Sequence, residues 1–137
     1  MLFKIKNKIS SDKKTIKSES FGKGFTPHML RMSISVNQSS DFEAEIVPLQ
    51  PEPFSPASQV FHYSQADFEG MKAFKTNDDS ISLFRLDQYA KRFRNSAKRI
   101  ALLDFPEELF ISSLLEYIKF EKYFFSLEDH QALYLRP

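Results

Sequence analysis

Residues 61–74 read FHYSQADFEGMKAF, from Phe61 to Phe74, mixing aromatic, acidic and glycine residues in a way that a plain structural strand does not need. The run ends in an apolar stretch, Met71 to Phe74, and a second apolar stretch follows at Ile81 to Phe84. Between them Asn77-Asp78-Asp79-Ser80 carries turn chemistry, which predicts a β-hairpin. Immediately downstream the period changes. Tyr89, Phe93, Ala97, Ile100 and Ala101 recur at three- and four-residue steps with Lys91, Asn95 and Lys98 opposite, so an amphipathic helix is expected to begin at Asp87, an N-cap residue type. Pro106 at a first-turn position beside Glu107 and Glu108 marks a second helix start. Phe110, Leu114, Tyr117, Ile118 and Glu121 carry that helix to about Phe125. A loop, Ser126 to Gln131, then leads to a last strand.

Upstream of Phe61, Phe25 to Val36 alternates as a strand, with Met29, Arg31 and Ser33 on one side and Leu30, Met32 and Ile34 on the other. Asn37 to Asp41 breaks it. Glu43 to Leu49 alternates again, and Pro48, Pro51, Pro53 and Pro56 end that strand in a loop by removing backbone donors. Strands first, two helices next and a strand last point to an α+β architecture: a mixed or antiparallel sheet with two helices packed on one face. The chain ends on Leu133, Tyr134, Leu135, Arg136 and Pro137, an apolar run carrying one tyrosine and one arginine, so a continuation into a larger enzyme is expected.

With 137 residues, one domain with a sizeable core is the expectation. The 15 Phe, against no Trp and no Cys, suggest a core carried by phenylalanine. Without cysteine there is no disulfide framework, thiolate metal site or thiol nucleophile, in keeping with a reducing, cytoplasmic setting. His28, His62 and His130 are far apart, and none has a second ligand at helical spacing, so no metal is expected. No run approaches the ~20 apolar residues that span a bilayer. The net charge of +1 is uneven: residues 1–20 hold +4 and the remainder −3. That basic end reads as a disordered tail or, since Phe3, Ile5 and Ile9 alternate with lysines, as an edge strand. It lacks an interleaved aromatic platform, which argues against a nucleic-acid partner.

Arg85, Arg92 and Arg99 fall seven residues apart, with Arg92 and Arg99 on nearly one helix face. Such a row is either a solvated basic face or a two-pronged contact for a phosphate. The glycine of Phe68-Glu69-Gly70 fits a bulge or a close approach by a neighbour. Tyr63 and Tyr134 read either as amphipathic core tyrosines or as ligand hydroxyls. Arg136, in an otherwise apolar strand end, requires water or an anionic partner such as a ligand carboxylate.

In their order, Phe21-Gly22-Lys23-Gly24-Phe25-Thr26-Pro27-His28-Met29-Leu30, His62-Tyr63-Ser64, Phe68-Glu69-Gly70-Met71-Lys72-Ala73-Phe74, Leu83-Phe84-Arg85, Arg92 with Ser96-Ala97 and Arg99, and Leu133-Tyr134-Leu135-Arg136-Pro137 resemble the branched-chain amino acid aminotransferases, fold type IV enzymes that use pyridoxal phosphate. The resemblance covers residues 21–137 and implies the small N-terminal domain of that fold, the D-amino acid aminotransferase-like fold. It implies that Arg92 holds the cofactor phosphate. It further implies that Tyr63 and Arg136 reach the distal carboxylate of glutamate or 2-oxoglutarate, and that Phe21, Phe68 and Tyr134 wall the pocket for a branched side chain. The family's cofactor lysine lies in a second, C-terminal domain, expected to be absent here, and Lys72 reads instead as a strand lysine with its amine at the surface. The resemblance thus implies leucine, isoleucine and valine as substrates, a homodimer in the full-length form and no transamination by this chain alone. Leu86, Tyr89 and Phe42 depart from the proline, asparagine and tryptophan usual at those places. The alternatives are a non-catalytic remnant or stand-alone domain, or another fold type IV enzyme such as a D-amino acid aminotransferase or an aminodeoxychorismate lyase.

Overall fold

The computed structural model describes residues 5–7, 21–35, 42–123 and 132–137. The chain forms two compact units. The first comprises residues 1–49 and 112–128, and the second residues 50–111 and 129–137. The expected loop Ser126 to Gln131 lies outside the described residues.

In the first unit, β1 (Ile5–Asn7), β2 (His28–Ile34) and β3 (Phe42–Pro48) form a three-stranded sheet in the order β1-β3-β2. β3 runs antiparallel to β2, with Leu30 opposite Ile46, and parallel to β1, with Ile5 opposite Ala44. The sheet is therefore mixed. On β3, Ala44 and Ile46 are buried while Glu43 faces solvent, and Val47, on the same side as Glu43, is buried at the other end of the strand. Residues 5–7 of the basic N-terminal region thus lie at a sheet edge.

The second unit holds the hairpin. β4 (Met71–Lys75) pairs antiparallel with β5 (Ile81–Leu83) and, on its other edge, with β6 (Ala132–Leu135). Met71 stands opposite Leu135 and Lys72 opposite Tyr134. The turn closes as its residue types dictate: Asp79 takes the left-handed conformation at φ 64°, the Thr76 N–H donates to the Ser80 carbonyl at 2.9 Å, and the Asp78 carboxylate accepts from the Ser80 hydroxyl at 2.9 Å. Two three-stranded sheets thus replace the single sheet expected, because β4 spends both of its edges within its own hairpin and on β6.

Among the described residues three helices complete the α+β fold: α1 (Gln59–Tyr63), α2 (Leu86–Arg99) and α3 (Glu107–Glu121). The expectation of two helices missed α1, so the segment Phe61 to Phe74 is not one aromatic strand. Its first residues close a short helix whose N–H groups bond locally, Phe61 to the Ser58 carbonyl at 3.0 Å, and Ser64 ends that helix in the left-handed conformation. Asp87 is not the N-cap of α2. Arg85 occupies that place at φ 51°, its carbonyl accepting from the Gln88 and Tyr89 N–H groups, while the Asp87 carboxylate accepts from the Gln88 side chain. Proline at 86 would push residue 85 into extended backbone; Leu86 imposes no such limit. Pro106 immediately precedes α3, its carbonyl accepting from Leu109 and Phe110, and the helix ends at Glu121, short of Phe125.

Among the described residues phenylalanine does not carry the core. Phe110 is buried, but Phe21, Phe25, Phe54, Phe61, Phe68, Phe74 and Phe84 are exposed. Composition counts a residue without saying which face it occupies. The buried positions are filled by Ala44, Ile46, Val47, Leu114, Tyr117 and Ile118 in the first unit. In the second they are filled by Met71, Ala73, Leu86, Ala90, Ala97, Phe110 and Leu135.

Candidate functional site

The polar face of α2 builds the candidate site. Leu86, Ala90 and Ala97 are buried, so helical spacing turns Gln88, Lys91, Arg92, Asn95, Ser96 and Arg99 to the other side. Together with Ala66, Asp67 and Ile100 these residues line a groove of about 630 Å³ in the second unit. Its lining carries three cations against the carboxylate of Asp67. The Asp67 Oδ2 is buried and has no hydrogen-bond partner among the described residues.

Arg92 does not hang free in this groove. Its Nε donates to Oε2 of Glu69 at 2.5 Å and its Nη2 donates to Oε1 of the same carboxylate, a two-pronged charge-assisted pair. The planar guanidinium also lies over the Tyr89 ring, 5.1 Å from its centroid, one turn back on the helix. The two partners differ in exposure: the Arg92 side chain is 63% exposed and that of Glu69 only 7%. Glu69 is fixed in turn by the backbone, for the Gly70 N–H donates to Oε1 at 2.7 Å and the Glu69 N–H donates to the Pro137 carbonyl at 3.1 Å. The hydrogen bond from Arg92 holds the Glu69 carboxyl below the usual carboxylate range, outweighing burial, which acts in the opposite direction. The same bond pushes the Arg92 guanidinium further up. Both groups are charged at neutral pH.

The other residues singled out in the sequence are placed as follows. Tyr63 is 77% exposed and lines a separate hollow of about 440 Å³ with Gln59, Ser64, Gln65 and Ile100. Gln65 ties this hollow to the end of α2, donating from Nε2 to the Ile100 carbonyl at 2.9 Å. Phe68 is 69% exposed, directly before Glu69. Tyr134 lies on β6 against Gly70, where its hydroxyl oxygen comes within 2.2 Å of the position a Cβ would take. Arg136 is exposed just beyond β6, and Lys72 is exposed on β4. Phe21 is exposed in the first unit, whereas Arg92, Tyr63, Phe68, Tyr134 and Arg136 all belong to the second. Glu69 escaped the sequence reading. Its signal was present: an acid between Phe68 and the Gly70-Met71 strand start is an expected burial site, and a buried carboxylate requires a cation or several donors.

No family model matches the chain. Relatives of known name do. The chain is 39% identical over 118 residues to the branched-chain-amino-acid aminotransferase of Mycolicibacterium smegmatis and 38% identical over 117 residues to branched-chain-amino-acid transaminase 1 of Bacillus subtilis. It is 38% identical over 117 residues to the cytosolic branched-chain-amino-acid aminotransferase of Saccharomyces cerevisiae. Each match takes in 85% of this chain but 32%, 33% and 31% of the respective relative, so the chain spans about a third of the length of the curated relatives it matches. The resemblance read from the motifs therefore extends over most of the chain.

Proposed function

We propose that this chain is the small N-terminal domain of a fold type IV branched-chain aminotransferase, contributing substrate walls and one ligand to the phosphate of pyridoxal phosphate. The observation that carries the reading is the Arg92 guanidinium, held on one edge by Glu69 and presented in a groove with Lys91 and Arg99. The donor set fits a phosphate: a planar cation with its Nη1 edge unspent, two further cations, the Ser96 hydroxyl and the Gln88 and Asn95 amides. Bound there, pyridoxal phosphate would supply the electron sink that amino transfer requires.

The remaining roles follow from side-chain chemistry. Tyr63 and Arg136 offer a hydroxyl and a guanidinium for the distal carboxylate of glutamate or 2-oxoglutarate. Phe21, Phe68 and Tyr134 offer apolar walls for the side chains of leucine, isoleucine and valine. The exposure of these aromatic residues supports a further domain, carrying the cofactor lysine, and a homodimeric partner as what covers them in the full-length enzyme. Among the described residues no helix is long and apolar enough to cross a membrane. The cytosolic yeast relative supports a cytoplasmic setting.

The test uses the purified 137-residue chain. Pyridoxal phosphate, titrated by its absorbance, binds in a salt-sensitive way, and Arg92→Ala abolishes binding; leucine and 2-oxoglutarate undergo no amino transfer. Transfer by this chain alone, or cofactor binding indifferent to Arg92→Ala, would sink the reading and favour another enzyme class or a non-catalytic domain.

A further inference from the structure

Glu69 is an acid in the second unit whose placement the substrate chemistry does not explain. It is buried, belongs to no expected substrate contact, and sits beside a residue whose task is to meet an anion. A carboxylate at that place has two possible effects on anion binding, and they have opposite signs. As a charge, it cancels the guanidinium and weakens attraction for a phosphate. As an orienting group, it fixes the fork and strengthens a directional contact.

The geometry favours orientation. Glu69 takes the Nε and Nη2 protons on one edge of the guanidinium, which leaves the outer Nη1–Nη2 edge, the edge that matches two phosphate oxygens. Contact with the Tyr89 ring restrains the plane of the same group. An arginine on a solvent-facing helix surface otherwise samples many rotamers, and ordering it costs side-chain entropy. Here the Glu69 fork and the Tyr89 ring supply ordering contacts before any ligand arrives. Glu69 can impose it because it is itself immobilised, buried at the start of β4 with the Gly70 N–H on Oε1 and its own N–H on the Pro137 carbonyl. Lys91 and Arg99, on the same groove, supply the net positive charge that the Glu69–Arg92 pair lacks.

We infer that Glu69 is a positioning residue for Arg92, holding the guanidinium so that its outer edge faces an incoming phosphate; this rests on the reading of Arg92 as the phosphate ligand. The test measures affinity of the whole chain for pyridoxal phosphate and, separately, for inorganic phosphate, in wild type, Glu69→Gln, Arg92→Lys and Arg92→Ala. The Arg92 Nε–H signal is followed by nitrogen NMR. Glu69→Gln is expected to weaken both ligands roughly tenfold, the worth of one charge-assisted hydrogen bond, although it makes the groove more positive. The Nε–H signal should broaden and move upfield as the fork is released, which a change confined to folding stability would not produce. Arg92→Lys, which keeps the charge and loses the fork, should bind as weakly as Glu69→Gln, and it does so with the Glu69 carboxylate still in place.

If Arg92→Ala binds as wild type does, or wild type binds neither ligand, the reading of Arg92 falls and the inference falls with it. If Arg92→Ala loses binding while Glu69→Gln binds equally or more tightly, Arg92 stands as the ligand and the positioning role of Glu69 alone is overturned.

Discussion

A Cβ placed on Gly70 would lie 2.2 Å from the Tyr134 hydroxyl oxygen and 3.0 Å from its Cζ, too close for either atom to stay where it is. The glycine's φ is not in the left-handed region, so the demand is for space and not for an unusual backbone. Gly70→Ala should therefore destabilise the chain by about 1–3 kcal/mol, the usual cost of overpacking, read as a lower midpoint in urea melts with an unchanged slope. Adding Tyr134→Phe removes the nearest atom. The double variant should recover part of the loss but not all of it, since Cζ still crowds the new methyl. Full stability of Gly70→Ala on its own would mean that the tyrosine swings away freely. The close approach expected of this glycine was legible in the sequence, but its neighbour was not. Tyr134 comes from 64 residues further along, and nothing local announces which strand will lie against β4.

At the scale of elements, the end of α2 is held by charge. Arg94 grips Asp104 through Nε at 2.5 Å and Nη2 at 2.9 Å, reaches Glu107 from Nη1 at 3.1 Å, and Lys98 reaches Asp104 at 3.1 Å. These contacts tie the last turns of α2 to the segment that starts α3. The hydrogen bonds from Arg94 pull the Asp104 carboxyl down to about 2. The folded value lies below the ordinary aspartate value of ~3.9, so the stabilising share is present above that value and is lost as pH falls from there through about 2. Asp104→Asn should lower the melting temperature at neutral pH and flatten its decline on acidification below pH 4. High salt should narrow the gap between variant and wild type, because these groups face water. The helices themselves were legible because period and Pro106 speak locally. The N-cap of α2 was not: Asp87 has the right chemistry, but the chain enters the helix through Arg85 in the left-handed conformation, two residues after β5 ends. α1 escaped for a related reason, since five residues are too few to show a period.

For the molecule as a whole, α3 matters most, because one continuous helix belongs to both units, its first residues to the second and those from Ser112 onward to the first. Phe110 packs its ring with Phe93 and Phe105 in the second unit, at centroid distances of 5.5 and 5.8 Å. Near the other end, Glu121 takes the His28 ring Nδ1 at 2.9 Å and the His28 backbone N–H at 3.2 Å within the first, both side chains fully buried. Tyr117, four residues before it, donates its hydroxyl proton to the His28 carbonyl at 2.8 Å. Removing the carboxylate alone would take from the buried imidazole and a buried backbone N–H the acceptor they share, so Glu121→Ala should cost about 3–5 kcal/mol. Glu121→Gln retains an acceptor for the N–H and should cost less than half as much. Burial pushes the Glu121 carboxyl up against the opposing pull of His28. Its proton-linked share of stability is thus complete below the ordinary glutamate value of ~4.3 and declines as pH rises through the raised one, a dependence that Glu121→Gln should remove. Because Tyr117 and Glu121 hold the same stretch of β2 from one face of α3, hydrogen exchange in Glu121→Ala should quicken at Tyr117. Protection at Tyr117 left unchanged would show that the buried carboxylate does not hold this end of α3.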